Sequence, residues 1–353
     1  MRYIKGFDGL RAISIIFVLL THLGIYSVIK GNKFLEKNYN LFSGSTGVMI
    51  FFTISGFLIT SLLLKEKKTN GRINLKYFFI RRFLRLMPPL LIFFLAVFIL
   101  MFFNFLPSDY LALLISFFYL YNFVPHIHYT GELGHTWSLG VEEQFYFLWP
   151  FVINKIKKIK TGLLIAAFVV FCCIVMNFIY PLPISFNGRS YFLTSYFFVD
   201  RWFIPACLPI MIGSFTSIIL TEYENYFHSK IHGNYLFLAF SLFIFVAQLF
   251  IPGLSINYIK VFQPIGISCL LVWIYFNQNK LLVNVLELKP ISFLGKISYG
   301  VYVFQGLFLR TGPSGSLTIQ HYPLNIILVF LFAILSYFFV EKRIIKFKNK
   351  FKT

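Results

Sequence analysis

Residues 47–101 read GVMIFFTISGFLITSLLLKEKKTNGRINLKYFFIRRFLRLMPPLLIFFLAVFILM. Two apolar runs, 44–64 and 86–106, flank a stretch that carries Lys65, Lys67, Lys68, Arg72, Lys76, Arg81, Arg82 and Arg85 against the single acid Glu66. A run of about 20 apolar residues matches the hydrocarbon thickness of a bilayer. Cations gathered in a short connection between two such runs mark the cytoplasmic side. This hairpin predicts a chain that crosses a membrane.

Outward from it, further apolar runs fall at 9–27, 138–153, 161–180, 200–220, 235–252, 260–278, 297–311 and 323–341. The expected fold class is therefore all-α, a polytopic membrane protein with about ten transmembrane helices in one domain over residues 1–353 and no soluble domain. Segment 109–124 is apolar but bounded by Pro107 and Pro125, and reads as a re-entrant or interfacial helix. Cations also cluster at 154–160 and after 341, through Lys342, Arg343, Lys346, Lys348, Lys350 and Lys352. Placing all three clusters in the cytoplasm puts both termini there, and ten spans close the topology if 109–124 does not cross. The first run reads as a retained helix and not as a cleaved signal peptide. The tail is expected to be too short for a fused extracytoplasmic domain.

Composition agrees. The chain is 58% hydrophobic and 12% charged, where an ordinary soluble domain is about 45–50% apolar and about 25% charged. The 48 phenylalanines suit a lipid-facing exterior. A net charge of +20 otherwise points to nucleic acid, but here the cations lie in loops between apolar runs, which excludes that partner. Cys172, Cys173, Cys207 and Cys269 sit in apolar runs without metal or disulfide spacing and read as packing residues.

Ionisable residues inside membrane helices are costly and mark function. The first helix holds three, Asp8, Arg11 and His22. At about 100° per residue, Arg11 and His22 share a face about 16 Å apart along the axis. Asp8 stands three residues before Arg11 and can pair with it; a plain helix-start salt bridge fits the same spacing. Arg82 and Arg85 share a face if helical, ahead of Pro88 and Pro89, which fit a first turn or a kink. They read as a phosphate fork or as an anchor to anionic lipid. Ser138, Glu142 and Tyr146 recur at four-residue spacing where an apolar run begins, so they share a stripe. Glu143 beside them reads as a helix-start acid. Ser55 and Gly56 read as a close-packing pair. Asp200 and Arg201, next to Trp202 at an outer boundary, read as acceptor contacts or as an interface marker. His126, His128 and His135 cluster in an outer loop without the spacing of a metal site, so no metal is expected.

Together these stretches resemble acyltransferase family 3, the integral-membrane acyltransferases typified by polysaccharide O-acetyltransferases. The elements are Phe7-Asp8-Gly9-Leu10-Arg11-Ala12 with His22; Phe51-Phe52-Thr53-Ile54-Ser55-Gly56-Phe57; Arg82-Phe83-Leu84-Arg85; Thr136-Trp137-Ser138-Leu139 through Glu142 and Tyr146; Leu294-Gly295-Lys296-Ile297-Ser298-Tyr299-Gly300-Val301-Tyr302; and Ser336-Tyr337 with Val340-Glu341-Lys342. They stand in the family's order over nearly the whole chain. Two departures are Gln305, where many relatives have His, and Arg343, where proline is common.

The resemblance implies a bacterial inner-membrane O-acetyltransferase that takes acetyl-CoA from the cytoplasm. Its acceptor would be a carbohydrate hydroxyl, with O-antigen, capsule or exopolysaccharide as the expected glycans. Catalytic candidates are His22 as general base or acyl carrier, Arg11, Asp8 and Glu142. Candidates for holding the donor are Arg82 and Arg85 at its phosphates, with Ser138, Tyr146, Ser298 and Tyr299 along the same interior. Partners would be carbohydrate and membrane lipid; oligomeric state is not legible. Loops 181–199, with Asn187, Arg189, Ser190 and Tyr191, and 312–322 are candidate acceptor contacts. Rival readings are a flippase for a lipid-linked sugar, a scaffold without catalysis, and an acyltransferase acting on a lipid or small molecule.

Overall fold

The computed structural model describes residues 3–179, 184–186, 189–191, 193–250, 256–310 and 315–344. Asn187, residues 312–314 and the basic tail from Lys346 onward, all assigned roles above, lie outside them.

The longer helices are α1 (Phe7–His22), α2 (Gly44–Asn70), α3 (Leu75–Phe102), α4 (Tyr110–Phe117), α5 (Thr136–Lys155), α6 (Ile159–Ile179), α7 (Leu208–Glu222), α8 (Glu224–Ile231), α9 (Tyr235–Val246), α10 (Ile256–Phe276), α11 (Lys289–Phe308) and α12 (Leu324–Leu335). A helix falls on each of the ten apolar runs. By length and composition, however, only Tyr39–Asn70, Leu75–Phe102, Ile159–Ile179 and Leu324–Ile344 qualify as membrane spans among the described residues. A fifth arises if α8 and α9, bent by 96°, act as one. The shortfall has a physical cause. Helices α1 and α7 have 16 and 15 residues, short of the about 20 that span a bilayer, while α5 and α11 carry Glu142 and Glu143, and Lys289 and Lys296, which lower their hydropathy. The fold is helical as expected, and among the described residues it carries one short antiparallel ribbon, Ile184–Phe186 with Arg189–Tyr191.

Local chemistry sets the boundaries. Ser43 caps α2 through the Thr46 amide, and Asn74 caps α3 through the Tyr77 amide at 3.0 Å. Between them Gly71 ends α2 at φ 73°, a left-handed conformation that suits glycine. The basic stretch expected as a loop is thus mostly helix: Lys65, Lys67 and Lys68 finish α2, and Arg81, Arg82 and Arg85 belong to α3. Helix α3 runs through Pro88 and Pro89 instead of beginning there. Lys67 donates to the carbonyls of Ile153 at 2.7 Å, Asn154 at 3.0 Å and Ile156, closing the C-terminal end of α5. Helix α4 has eight residues, about 12 Å, and is too short to cross a bilayer.

Three backbone contacts set the centre. A Cβ at Gly56 of α2 would overlap the Ile210 carbonyl, one at Gly213 of α7 the Thr53 carbonyl, and one at Gly295 of α11 the Asp8 carbonyl. Small residues let helices approach this closely. They lock α7 to α2 and α11 to α1, and Gly47 of α2, where a Cβ would meet the Ser14 carbonyl, holds α1 against α2. Outward, α3 exposes Leu91, Leu95, Phe98 and Phe102, α6 exposes Leu164, Phe168 and Phe171, and α9 exposes Leu236, Phe240 and Phe243. These three- and four-residue spacings give continuous apolar faces suited to lipid.

Candidate active site

The site is built on the clamped helix. Asp8, in the first turn of α1, is 7% exposed. A buried carboxylate needs partners, and it has two: Arg11 Nη1 at 2.9 Å and the Tyr3 hydroxyl at 2.9 Å. Burial, with Asp8 close by, holds the Tyr3 phenol above its usual range, so it remains a donor. Glu287 braces the same turn, accepting from the Gly6 amide at 2.6 Å.

Helix α3 carries Arg81, Arg82 and Arg85. Arg81 pairs with Glu66 at 3.1 Å. Arg82 and Arg85, one turn apart on one face, have no ion pair among the described residues. The Arg82 guanidinium lies 4.6 Å from the centroid of the Tyr146 ring. It also borders a smaller cavity of about 180 Å³ with Glu143 and Tyr119. Glu143 is the eighth residue of α5, so the helix-start reading of its charge does not hold.

On α5, the Glu142 carboxylate accepts hydrogen bonds from Ser55 of α2 and from Tyr146 one turn on. The Tyr146 hydroxyl is also 3.1 Å from Ser55 Oγ. Ser55, expected as packing beside Gly56, is therefore part of the site; sequence signalled it only by its place in the Phe-Phe-Thr-Ile-Ser-Gly-Phe element. Farther up α5, Ser138 Oγ meets the Tyr302 hydroxyl at 2.5 Å, and both donate to the His135 carbonyl at 3.1 Å. Tyr299 donates to the Leu86 carbonyl at 2.6 Å, and Ser298 to the Gly295 carbonyl at 2.9 Å.

These side chains enclose one cavity of about 270 Å³. It brings together Asp8, Arg11, Arg82, Arg85, Ser138, Glu142, Tyr146, Ser298 and Tyr299, nine of the ten candidates, and adds Tyr3, Ser55, Lys296 and Tyr302. Its lining holds four cations, Arg11, Arg82, Arg85 and Lys296, against two carboxylates, Asp8 and Glu142. It suits a ligand with an anionic part.

His22 is the candidate that does not line the cavity. It ends α1 outside that lining, with its ring hydrogen-bonded to the Arg310 backbone and close to His135. The three outer histidines are dispersed. His128 pairs with Asp109 at 3.0 Å, His126 stacks on Phe198 with centroids 4.1 Å apart, and His135 is buried beside Phe93 and Tyr302. Arg201 stacks 4.0 Å over Phe198. Among the described residues no group of three or more His, Cys, Asp or Glu is placed to hold a metal ion. Cys173 and Cys207, far apart in sequence, bring their sulfurs to 3.5 Å in the packed interior.

A family profile described as an acyltransferase domain, acyltransferase family 3, matches residues 4–341. The chain belongs to that family. It is 29% identical to the "Peptidoglycan O-acetyltransferase OatA" of Listeria monocytogenes, across 99% of this chain and 57% of that protein. It is also 29% identical to the "Putative peptidoglycan O-acetyltransferase YrhL" of Bacillus subtilis, across 97% of this chain and 55% of that protein. A "Putative O-acetyltransferase" of Staphylococcus aureus is 28% identical across 97% of this chain and 57% of its own length. The chain thus spans somewhat more than half the length of these relatives. No solved structure matches it. The cavity is lined from α1, α2, α3, α5 and α11, the helices that carry five of the six sequence elements quoted above.

Proposed function

We propose that this chain transfers an acetyl group from acetyl-CoA to a hydroxyl of a cell-surface carbohydrate, within the inner membrane of a bacterium. The observation that carries the reading is the pair of guanidiniums, Arg82 and Arg85, that line the cavity and form no ion pair among the described residues. Such forks suit phosphate, and coenzyme A presents phosphates at one end and a thin thioester arm at the other. The sidedness follows from charge: with the basic ends of α2 and α3 in the cytoplasm, both termini are cytoplasmic and the ten apolar runs each cross. The relatives' names point to peptidoglycan as the acceptor to test first, ahead of O-antigen, capsule or exopolysaccharide.

When bound, acetyl-CoA supplies the activated acyl carbon. The chain's own residues do the rest. Arg82, Arg85 and Lys296 bind the anionic end. Arg11, fixed by Asp8, puts positive charge where negative charge develops. Glu142, held by Ser55 and Tyr146, orients a hydroxyl at the middle of the cavity. His22, which does not line the cavity, takes the acceptor's proton as general base through an intervening water.

The test is calorimetric titration of acetyl-CoA into the detergent-purified chain, beside the Arg82→Ala/Arg85→Ala double variant. Saturable binding by the wild type and its loss in the variant are expected. Equal binding by both proteins refutes the donor site, and no binding by the folded wild type refutes the enzyme reading in favour of a flippase.

A further inference from the structure

Helices α6 and α10 both pack on α7 and leave a groove of about 550 Å³ between them. Its floor is α7, through Ile212, Phe215 and Ile219, and its walls include Phe171 of α6 and Ile265 of α10. The lining is hydrocarbon except for Thr216, Ser268 and Cys269, and the Thr216 hydroxyl already donates to the Ile212 carbonyl at 2.9 Å. A bound water needs two to four polar partners, so water does not fill this space. Left empty, an apolar void lowers stability in proportion to its volume. The groove is continuous with the lipid-facing surface: Phe171 lines it and is 62% exposed, on the same face of α6 as Leu164 and Phe168. Helix α8 closes one end. Its Phe227 and Ile231, one turn apart, line the groove, while the exposed His228 and Lys230 belong to its polar side. Asn277, just past α10, ties that end down: its side chain donates to the Ile231 carbonyl at 3.3 Å and accepts from the Gly233 amide at 2.7 Å. From Val272 near this end to Val261, α10 borders the groove over about 16 Å, about half of the roughly 30 Å hydrocarbon core.

We propose that this groove is a lipid site that holds one hydrocarbon chain of a phospholipid from the cytoplasmic leaflet. The lining selects hydrocarbon, the open side at Phe171 admits it from the bilayer, and the depth is that of one leaflet. With the basic ends of α2 and α3 in the cytoplasm, α8 lies at the inner surface; the leaflet rests on that sidedness, and the presence of the chain does not. The site is separate from the candidate active site, and α7 joins the two. One side of α7 is the floor of the groove. The other lies against α2, with Gly213 at the Thr53 carbonyl and Gly56 at the Ile210 carbonyl. Ser55, between those contacts, lines the active-site cavity. A chain in the groove therefore backs α7 against the helix that carries Ser55.

The experiment places the full chain in vesicles of phosphatidylethanolamine and phosphatidylglycerol that contain a phosphatidylcholine with a photoactivatable diazirine on one chain. After illumination, peptide mass spectrometry locates the adducts. Adducts are expected on Ile212 and Leu220 of α7, which line the groove and are only 8% and 6% exposed, as well as on the open face of α3 at Leu95 and Phe98. Cys269→Trp fills the groove and should abolish the α7 adducts while those on α3 stay. Adducts on α3 with none on α7 in the wild type overturn the proposal, as they would if another protein or a second copy of the chain covered the groove. Adducts on α7 that persist in the folded variant overturn it too. If Cys269→Trp does not fold, Thr216→Phe fills the groove from its floor, and if neither folds the wild-type pattern decides. The readout does not involve acetyl transfer, so failure of the acyltransferase reading leaves its outcome unchanged.

Discussion

Arg82 lays its guanidinium 4.6 Å from the centre of the Tyr146 ring, joining α3 to α5 at the cavity wall. A planar cation on an aromatic face is held in orientation as well as in place. The fork is thereby aimed before any ligand arrives. Arg82→Lys keeps the charge and loses the fork. It should weaken acetyl-CoA binding by about 1–2 kcal/mol, roughly tenfold, while Arg85→Lys, which has no ring to stack on, loses less. Calorimetry on the two single variants separates them; equal losses would remove the stacking argument.

Glu142 is the carboxylate on which α2 and α5 converge, through Ser55 and Tyr146. Glu142→Gln preserves shape and leaves the two hydroxyls near an amide in place of a carboxylate. Turnover should fall about 10²-fold with acetyl-CoA affinity little changed, because the donor's anionic end is bound elsewhere. Initial rates over a range of acetyl-CoA concentrations read both quantities. A rise in KM with kcat preserved would move Glu142 from chemistry to donor binding.

Much of this cavity was legible in the sequence, and the reason is the membrane. Polar residues are so costly in hydrocarbon that Asp8, Arg11, Glu142 and Tyr146 announce a shared interior. Helical spacing then aligns Arg82 with Arg85 and Glu142 with Tyr146. Ser55 and Tyr302 were harder, because a hydroxyl is cheap enough in a packed helix to pass as filling, and only the tertiary partner reveals its role. The boundaries of α3 were misread for a similar reason. Arginines in a helix look like a loop when proline follows, yet the Asn74 cap sets the start. Span number is the least legible: Glu142, Glu143, Lys289 and Lys296 lower the hydropathy of α5 and α11, while α1 and α7 are short.

Gly295 touches the backbone of Asp8. Gly295→Ala forces α11 and α1 apart, since the added carbon meets a carbonyl and not a flexible side-chain end. Overpacking of this kind costs about 1–3 kcal/mol. The variant should unfold at lower temperature in detergent and lose activity more than stability, because α1 carries both Asp8 and Arg11. Gly300→Ala, on the same helix, meets the Ala333 Cα at 3.3 Å and should be milder. Thermal unfolding of both, read by intrinsic fluorescence, checks the order, and a milder Gly295→Ala would contradict the contact.

His22 stands at the far end of the helix that begins with Asp8, outside the cavity lining. A residue that binds donor and one that handles the acceptor's proton predict different phenotypes. His22→Ala should leave acetyl-CoA affinity at the wild-type value and cut transfer by about 10²- to 10⁴-fold. Affinity by calorimetry, transfer by labelled acetyl and unfolding temperature, measured on one preparation, make the comparison. Lost affinity would bring His22 into the donor site, and full transfer would end its role as base.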